Sequence, residues 1–167
     1  MYGSSPVELL ATDAMLRGLI FCNAYTYNAD FLTGTSQAIP ASATSVQQVV
    51  QITSEADFVV QQLSAICWGA AAGTLLQDPD YTIQIAISSG RPWFNAPLSV
   101  RNVAGMYAVG EIPIPLPFPR LIPLNSTLTV TVTNRTATAA NLFQLALIGF
   151  NVYYQPGGSR QTVFHAL

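Results

Sequence analysis

The segment IPIPLPFPR, residues 112–120, places proline at every second position and apolar residues between the prolines. Prolines spaced by two share no face of a polyproline II helix, so the segment does not fit a PxxP ligand. In an extended strand they remove the N–H donors from one edge and leave those of Ile114, Leu116 and Phe118 on the other. The segment predicts a strand that pairs on one side only and presents these three side chains on one face.

Other stretches carry the pattern of paired strands. YTIQIAIS (81–88) and TLTVTVTN (127–134) alternate apolar and polar residues, which indicates strands with one face on a core. LFQLALIGFNVYY (142–154) is apolar on both faces near its centre and predicts a central strand. With SVQQVVQITS, DFVVQQLSAICWGA and two short candidates at 97–100 and 106–109, seven or eight strands are expected. Residues 46–154 therefore predict an all-β, antiparallel two-sheet sandwich of the jelly-roll kind.

Residues 1–45 differ from the rest and predict an N-terminal arm that begins with a short helix. Ser5 is placed as the N-cap and Glu8 at the third helical position, the two residues of a capping box. Leu9 and Leu10 begin a short apolar stripe on this helix. We therefore expect the helix to use that stripe as a contact surface.

After the helix, small and polar residues predominate, with Tyr25, Tyr27 and Phe31 among them. This is loop composition with aromatic anchors, and it predicts an extended tail that orders on a partner. Residues 155–167, QPGGSRQTVFHAL, predict a short and mobile C-terminal tail.

The charge content favours an assembly component. Only 8% of the residues are charged, against about a quarter in ordinary globular domains, and all six basic residues are arginine. Interface cores are depleted in charge and in lysine but keep arginine and aromatic residues. The net charge of −2 offers no basic patch for nucleic acid, which is therefore not an expected partner.

No membrane span and no export signal are expected. The uncharged stretch 58–77 is long enough to span a bilayer, but its glutamines and two-residue alternation argue against a span. The first residues lack a basic region, so we expect a protein that is synthesised in the cytoplasm and used without export. Cys22 and Cys67 form no CxxC pair; two buried thiols are expected, and a disulfide is left open.

The residues that could carry chemistry are few. His165 lies near the C-terminus and gives no triad, Asp78 and Asp80 fit a turn better than a calcium site, and Glu55 and Asp57 fit a solvated turn better than a glycosidase pair. No nucleophile, phosphate-binding or zinc motif occurs. We therefore predict no enzyme, no cofactor and no metal.

Exposed aromatic residues would indicate an alternative function, the binding of sugars. Trp93 and Phe94 in GRPWFNAP, with Tyr107 and the tyrosines at 153–154, could form a sugar platform, although each also fits a core or an interface. The corresponding function is that of a receptor- or glycan-binding jelly-roll module.

One part of the chain resembles a known group of proteins. PFPRLIPLNSTLTVTVTN followed by NLFQLALIGFNVYY is similar to the C-terminal hairpin of small structural proteins of tailed-bacteriophage heads. In that hairpin a P-x-x-L/I-x-x-N/G-S motif leads into an alternating strand and then into an L-x-G-x-x-x-Y strand. The nearest named group is the cement, or decoration, proteins of phage capsids, and the resemblance covers about residues 112–155.

This resemblance implies a jelly-roll domain, usually a homotrimer, on the outer surface of the virion, where it binds the major capsid protein through extended termini. Composition and resemblance together predict a virion structural protein that stabilises a capsid by bridging its subunits. The residues expected at protein interfaces are Leu9, Leu10, Tyr25, Tyr27, Phe31, Ile114, Leu116, Phe118 and Arg120, the last as an anchor.

Overall fold

The computed structural model describes residues 5–32, 39–40, 45–69, 80–88, 92–106, 110–136 and 140–164. In chain order the elements are α1 (Pro6–Leu16), β1 (Ile20–Leu32), β2 (Ser45–Gln51), β3 (Asp57–Gly69), β4 (Tyr81–Ile87), β5 (Leu98–Ser99), β6 (Gly105–Met106), β7 (Ile114–Ile122), β8 (Thr127–Asn134), β9 (Ala140–Tyr154) and α2 (Arg160–Val163).

The strands form two sheets that enclose a common core. In sheet A the order is β1-β9-β3, and β7 and the very short β6 both pair with the remaining edge of β3. In sheet B the order is β2-β8-β4-β5. The steps from β1 to β2, β2 to β3, β3 to β4, β5 to β6, β7 to β8 and β8 to β9 each cross between the sheets, as the chain of a jelly roll does. The predicted all-β sandwich is confirmed.

The alternating strands are where the sequence places them. On β4 and β8 the core side chains have no solvent exposure: Tyr81, Ile83, Ile85, Leu128, Val130 and Val132. The threonines of β8 lie on the opposite, partly exposed face. β9 lies between β1 and β3 for most of its length, which confirms the predicted central strand.

The N-terminal helix has the predicted cap. The Glu8 N–H donates to Ser5 Oγ at 3.2 Å, and the Ser5 N–H donates to a Glu8 carboxylate oxygen at 2.7 Å. The helix covers one end of the outer face of sheet A, where a second apolar cluster includes Val7, Val59 and Val152. Among the described residues, no helix is long and apolar enough to cross a membrane.

The interpretation of residues 23–45 as a loop-like tail is wrong for residues 23–32. They belong to β1, which pairs with β9 along its whole length, from Ile20 opposite Tyr154 to Leu32 opposite Leu142. The alternation is hidden because β1 is an edge strand whose residues 23–26 are all exposed. An edge strand with two solvent-facing sides needs no apolar face in its middle.

The prediction of a mobile C-terminal tail is also wrong for the described part. Val163 and Phe164 are 4% and 3% exposed and pack in the cluster beneath α1. Arg160 reaches the fully buried carboxylate of Asp57 at the start of β3, which attaches α2 to sheet A. His165 lies outside the described residues.

Candidate functional site: a groove between the sheet edges

One wall of the candidate site comes from the segment beside β4 in sheet B. The Trp93 N–H donates to the Ile85 carbonyl at 2.8 Å, and Gln84 Nε2 donates to the Phe94 carbonyl at 2.7 Å. Both aromatic side chains are partly buried against the core. Their backbone is therefore fixed to the sheet, and their rings lie at its edge.

The other wall is β7 in sheet A, whose geometry departs from the prediction. Among the described strands β7 pairs only with β3, as expected of an edge strand, but Val60 lies opposite Arg120 and Gln62 lies opposite Pro115. Residues 116–119 thus face the single residue Gln61 and bulge out of the sheet. The expectation of one regular strand with a continuous donor edge is wrong there, because four residues replace one in the ladder.

The bulge also separates the three side chains that were expected to share a face. Leu116 packs partly on the core, whereas Phe118 is 68% exposed. Arg120 shares the face of buried Val60, the side of sheet A that is turned toward sheet B. At the sheet edge this side opens to solvent, so Arg120 is exposed beside the core.

The two walls enclose what we call the lateral groove, a depression of about 200 Å³ lined by Trp93, Phe94, Leu116, Pro117, Phe118 and Arg120. Arg120 has no ion pair or hydrogen bond within the described part of the chain. Trp93 Nε1 is shielded from solvent and likewise has no hydrogen-bond partner there. Aromatic, aliphatic and arginine side chains in one depression are the composition of a protein-interface core.

The interface residues predicted in the N-terminal part are scattered. Leu9 is 59% exposed on α1, and Leu10 packs partly beneath it. Tyr25 is 46% exposed. The Tyr27 ring packs on the Phe58 ring with 4.8 Å between their centroids, and its hydroxyl accepts a hydrogen bond from the Thr53 N–H at 3.1 Å. Phe31 is 1% exposed and belongs to the core, so it is not available to a partner in this structure. Ile114 is partly exposed beside Leu63.

A second depression, of about 430 Å³, lies between α1 and the outer face of sheet A. Its polar groups are already engaged: Glu8 accepts the Gln61 amide at 2.7 Å as well as the Ser5 N–H. Its remaining lining includes Met15, Cys22 and Phe150. We regard it as a packing gap beside the helix.

The candidate carboxylates do not form a catalytic pair. Glu55 is exposed, while Asp57 is fully buried and accepts hydrogen bonds from Arg160, the Tyr154 hydroxyl and the Leu124 N–H. Burial, together with the hydrogen bond to this carboxylate, raises the pKa of Tyr154. These contacts join α2, the turn before β8 and sheet A, which is a structural role.

Across the described residues no group of three His, Cys, Asp or Glu side chains is placed to hold a metal ion. Asp80 is exposed, and Asp78 lies outside the described residues. Cys22 and Cys67 are both free thiols. Burial raises the pKa of Cys22 and raises that of Cys67 to about 11, so both thiols are protonated near neutral pH.

Sequence reasoning identified the groove residues but not their proximity. Trp93 and Phe94 suggested a sugar platform, and Leu116 to Arg120 suggested an interface, yet the two segments meet only because the segment beside β4 and the strand β7 border the same open side of the sandwich. Pro117 was placed on the opposite face from its neighbours. The proposed platform residue Tyr107 lies outside the described residues, and Tyr154 is bonded to Asp57.

The chain matches no protein-family model, and no curated protein is significantly similar to it.

Proposed function

We propose that this protein is a virion structural protein that decorates a phage capsid and stabilises it by bridging subunits of the major capsid protein. The observation that carries this proposal is the lateral groove, where Phe118 is 68% exposed beside two aromatic rings and Arg120, which has no ion pair among the described residues. Covering a surface of this composition with a partner protein lowers the free energy of the complex.

The composition of the whole chain also supports the proposal. With 8% charged residues and no lysine, the protein has few of the charges that keep a freely diffusing monomer soluble. A decoration protein needs buried apolar area and no reactive group, because internal pressure must then break the added contacts as well before the shell opens. The resemblance of residues 112–155 to phage cement proteins adds the outer capsid surface and a homotrimer to the proposal.

The test is sedimentation of the purified protein, first alone and then with expanded shells of its own phage, identified from the neighbouring genes. We expect a compact trimer that saturates the shells at a fixed ratio and raises their melting temperature. A monomer that leaves the shells unchanged would refute the proposal.

A pair of variants connects this test to the groove. Phe118→Ala removes an exposed ring from the groove, and Val49→Ala removes an exposed apolar side chain from β2 at the far edge of sheet B. Burial of the Phe118 side chain is worth roughly 1.5–3 kcal/mol, so Phe118→Ala should weaken shell binding by about tenfold or more. Val49→Ala should change it little. Equal effects would place the contact elsewhere.

Glycan binding is the second candidate function, favoured by the position of Trp93 and Phe94 in the same groove. Aromatic rings of this kind stack on sugar rings. A glycan array probed with the labelled protein separates the two candidates. Binding that is lost in Phe118→Ala, together with indifference to shells, would favour the receptor-binding module of a fibre or tail.

A further inference from the structure

We infer that the lateral groove binds a short extended segment of a partner protein that presents one apolar side chain next to a carboxylate. This inference rests on the proposed function, since it names the chemistry of the partner at the same surface. It is carried by the size of the groove, by Arg120 and by Trp93.

The size of the groove limits what can enter it. A volume of about 200 Å³ accommodates roughly one or two side chains. It is too small to admit a whole α-helix, which is about 10 Å across. The bulged wall carries Pro117 and Pro119, which have no N–H groups, so it cannot supply a continuous hydrogen-bonding ladder for an added strand. An extended segment would therefore be held by its side chains, with the apolar one against Phe118.

Arg120 determines the charge of the occupant. It is exposed at the rim of an apolar depression and has no anionic neighbour in the described part of the chain. A guanidinium binds a carboxylate through two parallel hydrogen bonds, and the apolar walls strengthen the contact by excluding water. A single cation is too little for a nucleic-acid backbone, which requires several.

Trp93 adds a donor. Its indole N–H has no acceptor in the described structure, although buried polar groups are ordinarily hydrogen-bonded. Because Nε1 is shielded from solvent, an acceptor on the bound segment, such as a main-chain carbonyl, would reach this donor only after the indole ring turned toward the groove. The groove thus combines an apolar surface and a cation with a donor that has no acceptor among the described residues.

The experiment uses a yeast-displayed library of random 12-residue peptides, sorted with the labelled full-length protein and depleted with Phe118→Ala. We expect the selected peptides to carry Asp or Glu next to an apolar residue. Sorting with Arg120→Glu should instead select Lys or Arg at that position. No enrichment over Phe118→Ala, or enrichment without an acidic excess, would overturn the inference.

Affinities of selected peptides, made synthetically, provide the quantitative test. Arg120→Glu should weaken an acidic peptide by roughly tenfold or more, and Arg120→Lys by less, since lysine keeps the charge but loses the paired hydrogen bonds. Trp93→Phe should also weaken binding while it retains a ring. An Arg120→Glu protein that binds the acidic peptide as tightly as the wild type does would overturn the inference.

The peptide and shell experiments fail independently. Shell binding without peptide selection would leave the proposed function standing and remove the groove inference. Peptide selection without shell binding would leave the groove standing as a peptide-binding surface and remove the proposed function on the capsid. All of these substitutions except Trp93→Phe change exposed side chains, and thermal melting of each variant would verify that it is folded.

Discussion

The contact between Asp57 and Arg160 offers a direct test of how the C-terminal segment is attached. Asp57 is fully buried, and Arg160 donates to both of its carboxylate oxygens, one of these hydrogen bonds being 2.7 Å from Nε to Oδ2. The Leu124 N–H donates to the same carboxylate at 2.7 Å, and the Tyr154 hydroxyl also donates to it. Replacing Arg160 with alanine leaves the buried Asp57 carboxylate with only two of these hydrogen-bond donors, the Leu124 N–H and the Tyr154 hydroxyl.

The expected cost follows from the burial of the two partners. Removing one member of a buried ion pair costs about 3–5 kcal/mol. Because the Arg160 side chain is 42% exposed, solvent screens part of the interaction, and we expect Arg160→Ala to lower the free energy of unfolding by about 2–3 kcal/mol. For a domain of this size that corresponds to a decrease in Tm of about 4–12 °C.

The measurement is urea unfolding at neutral pH, followed by tryptophan fluorescence. Arg17→Ala is the matched control, since the contact of Arg17 with Asp13 is 3.0 Å long but both side chains are mostly exposed, at 67% and 56%. An exposed pair of this kind is worth about 0.5 kcal/mol. If the two variants lost the same stability, the argument from burial would be refuted.

Three further predictions follow from other parts of the fold. Gly149→Ala would place a Cβ 1.9 Å from the Val59 carbonyl oxygen, so we expect a loss above about 4 kcal/mol in urea unfolding, whereas Gly18→Ala, at a left-handed but open position, should cost about 1–2 kcal/mol. Glu8→Ala should lower the melting temperature by an amount equivalent to about 1 kcal/mol, and Glu8→Gln by less, because glutamine also completes a capping box. Burial raises the pKa of Cys67 from 9.0 to about 11, so the folded chain keeps a proton that the unfolded chain loses in this range. The contribution of Cys67 to stability should therefore be fully present below about pH 9, and stability measured by urea titration should fall by up to about 2–3 kcal/mol from there toward pH 11, with a smaller fall in Cys67→Ala.

The sequence predicted those strands whose two faces meet different environments. β4 and β8 alternate because one face lies on the core and the other faces solvent, and the burial of Ile83 and Val130 follows that pattern. β1 was missed because the middle of this edge strand is exposed on both sides. α2 was missed because its four residues are too short for a helical period, and its attachment depends on a contact with Asp57, 103 residues away in the sequence.

The candidate site could be predicted only in pieces. The prolines of 112–120 correctly indicated an edge strand, but the bulge that exposes Phe118 depends on how β7 and β3 pair around Gln61. Local sequence does not specify that register. The approach of Trp93 to Arg120 depends on two edges that are adjacent only in the folded sandwich.

The residues that carry the resemblance to phage proteins have structural explanations. Asn125 in the N/G-S position adopts a φ of 60°, a left-handed conformation that asparagine and glycine tolerate best, in the turn between β7 and β8. Gly149 in the L-x-G-x-x-x-Y motif lies against the Val59 carbonyl, beside the bulge in β3 at Gln61, where a larger residue does not fit. Both residues are required by the hairpin itself, so any jelly roll with this turn and this bulge would favour them whatever its function. The motif is therefore stronger support for the fold than for a role in a capsid, and the functional proposal depends on the lateral groove. Phe118 and Arg120 in that groove support neither the turn nor the bulge through their side chains, so no backbone requirement explains them. A partner protein that covers the groove would account for their exposure.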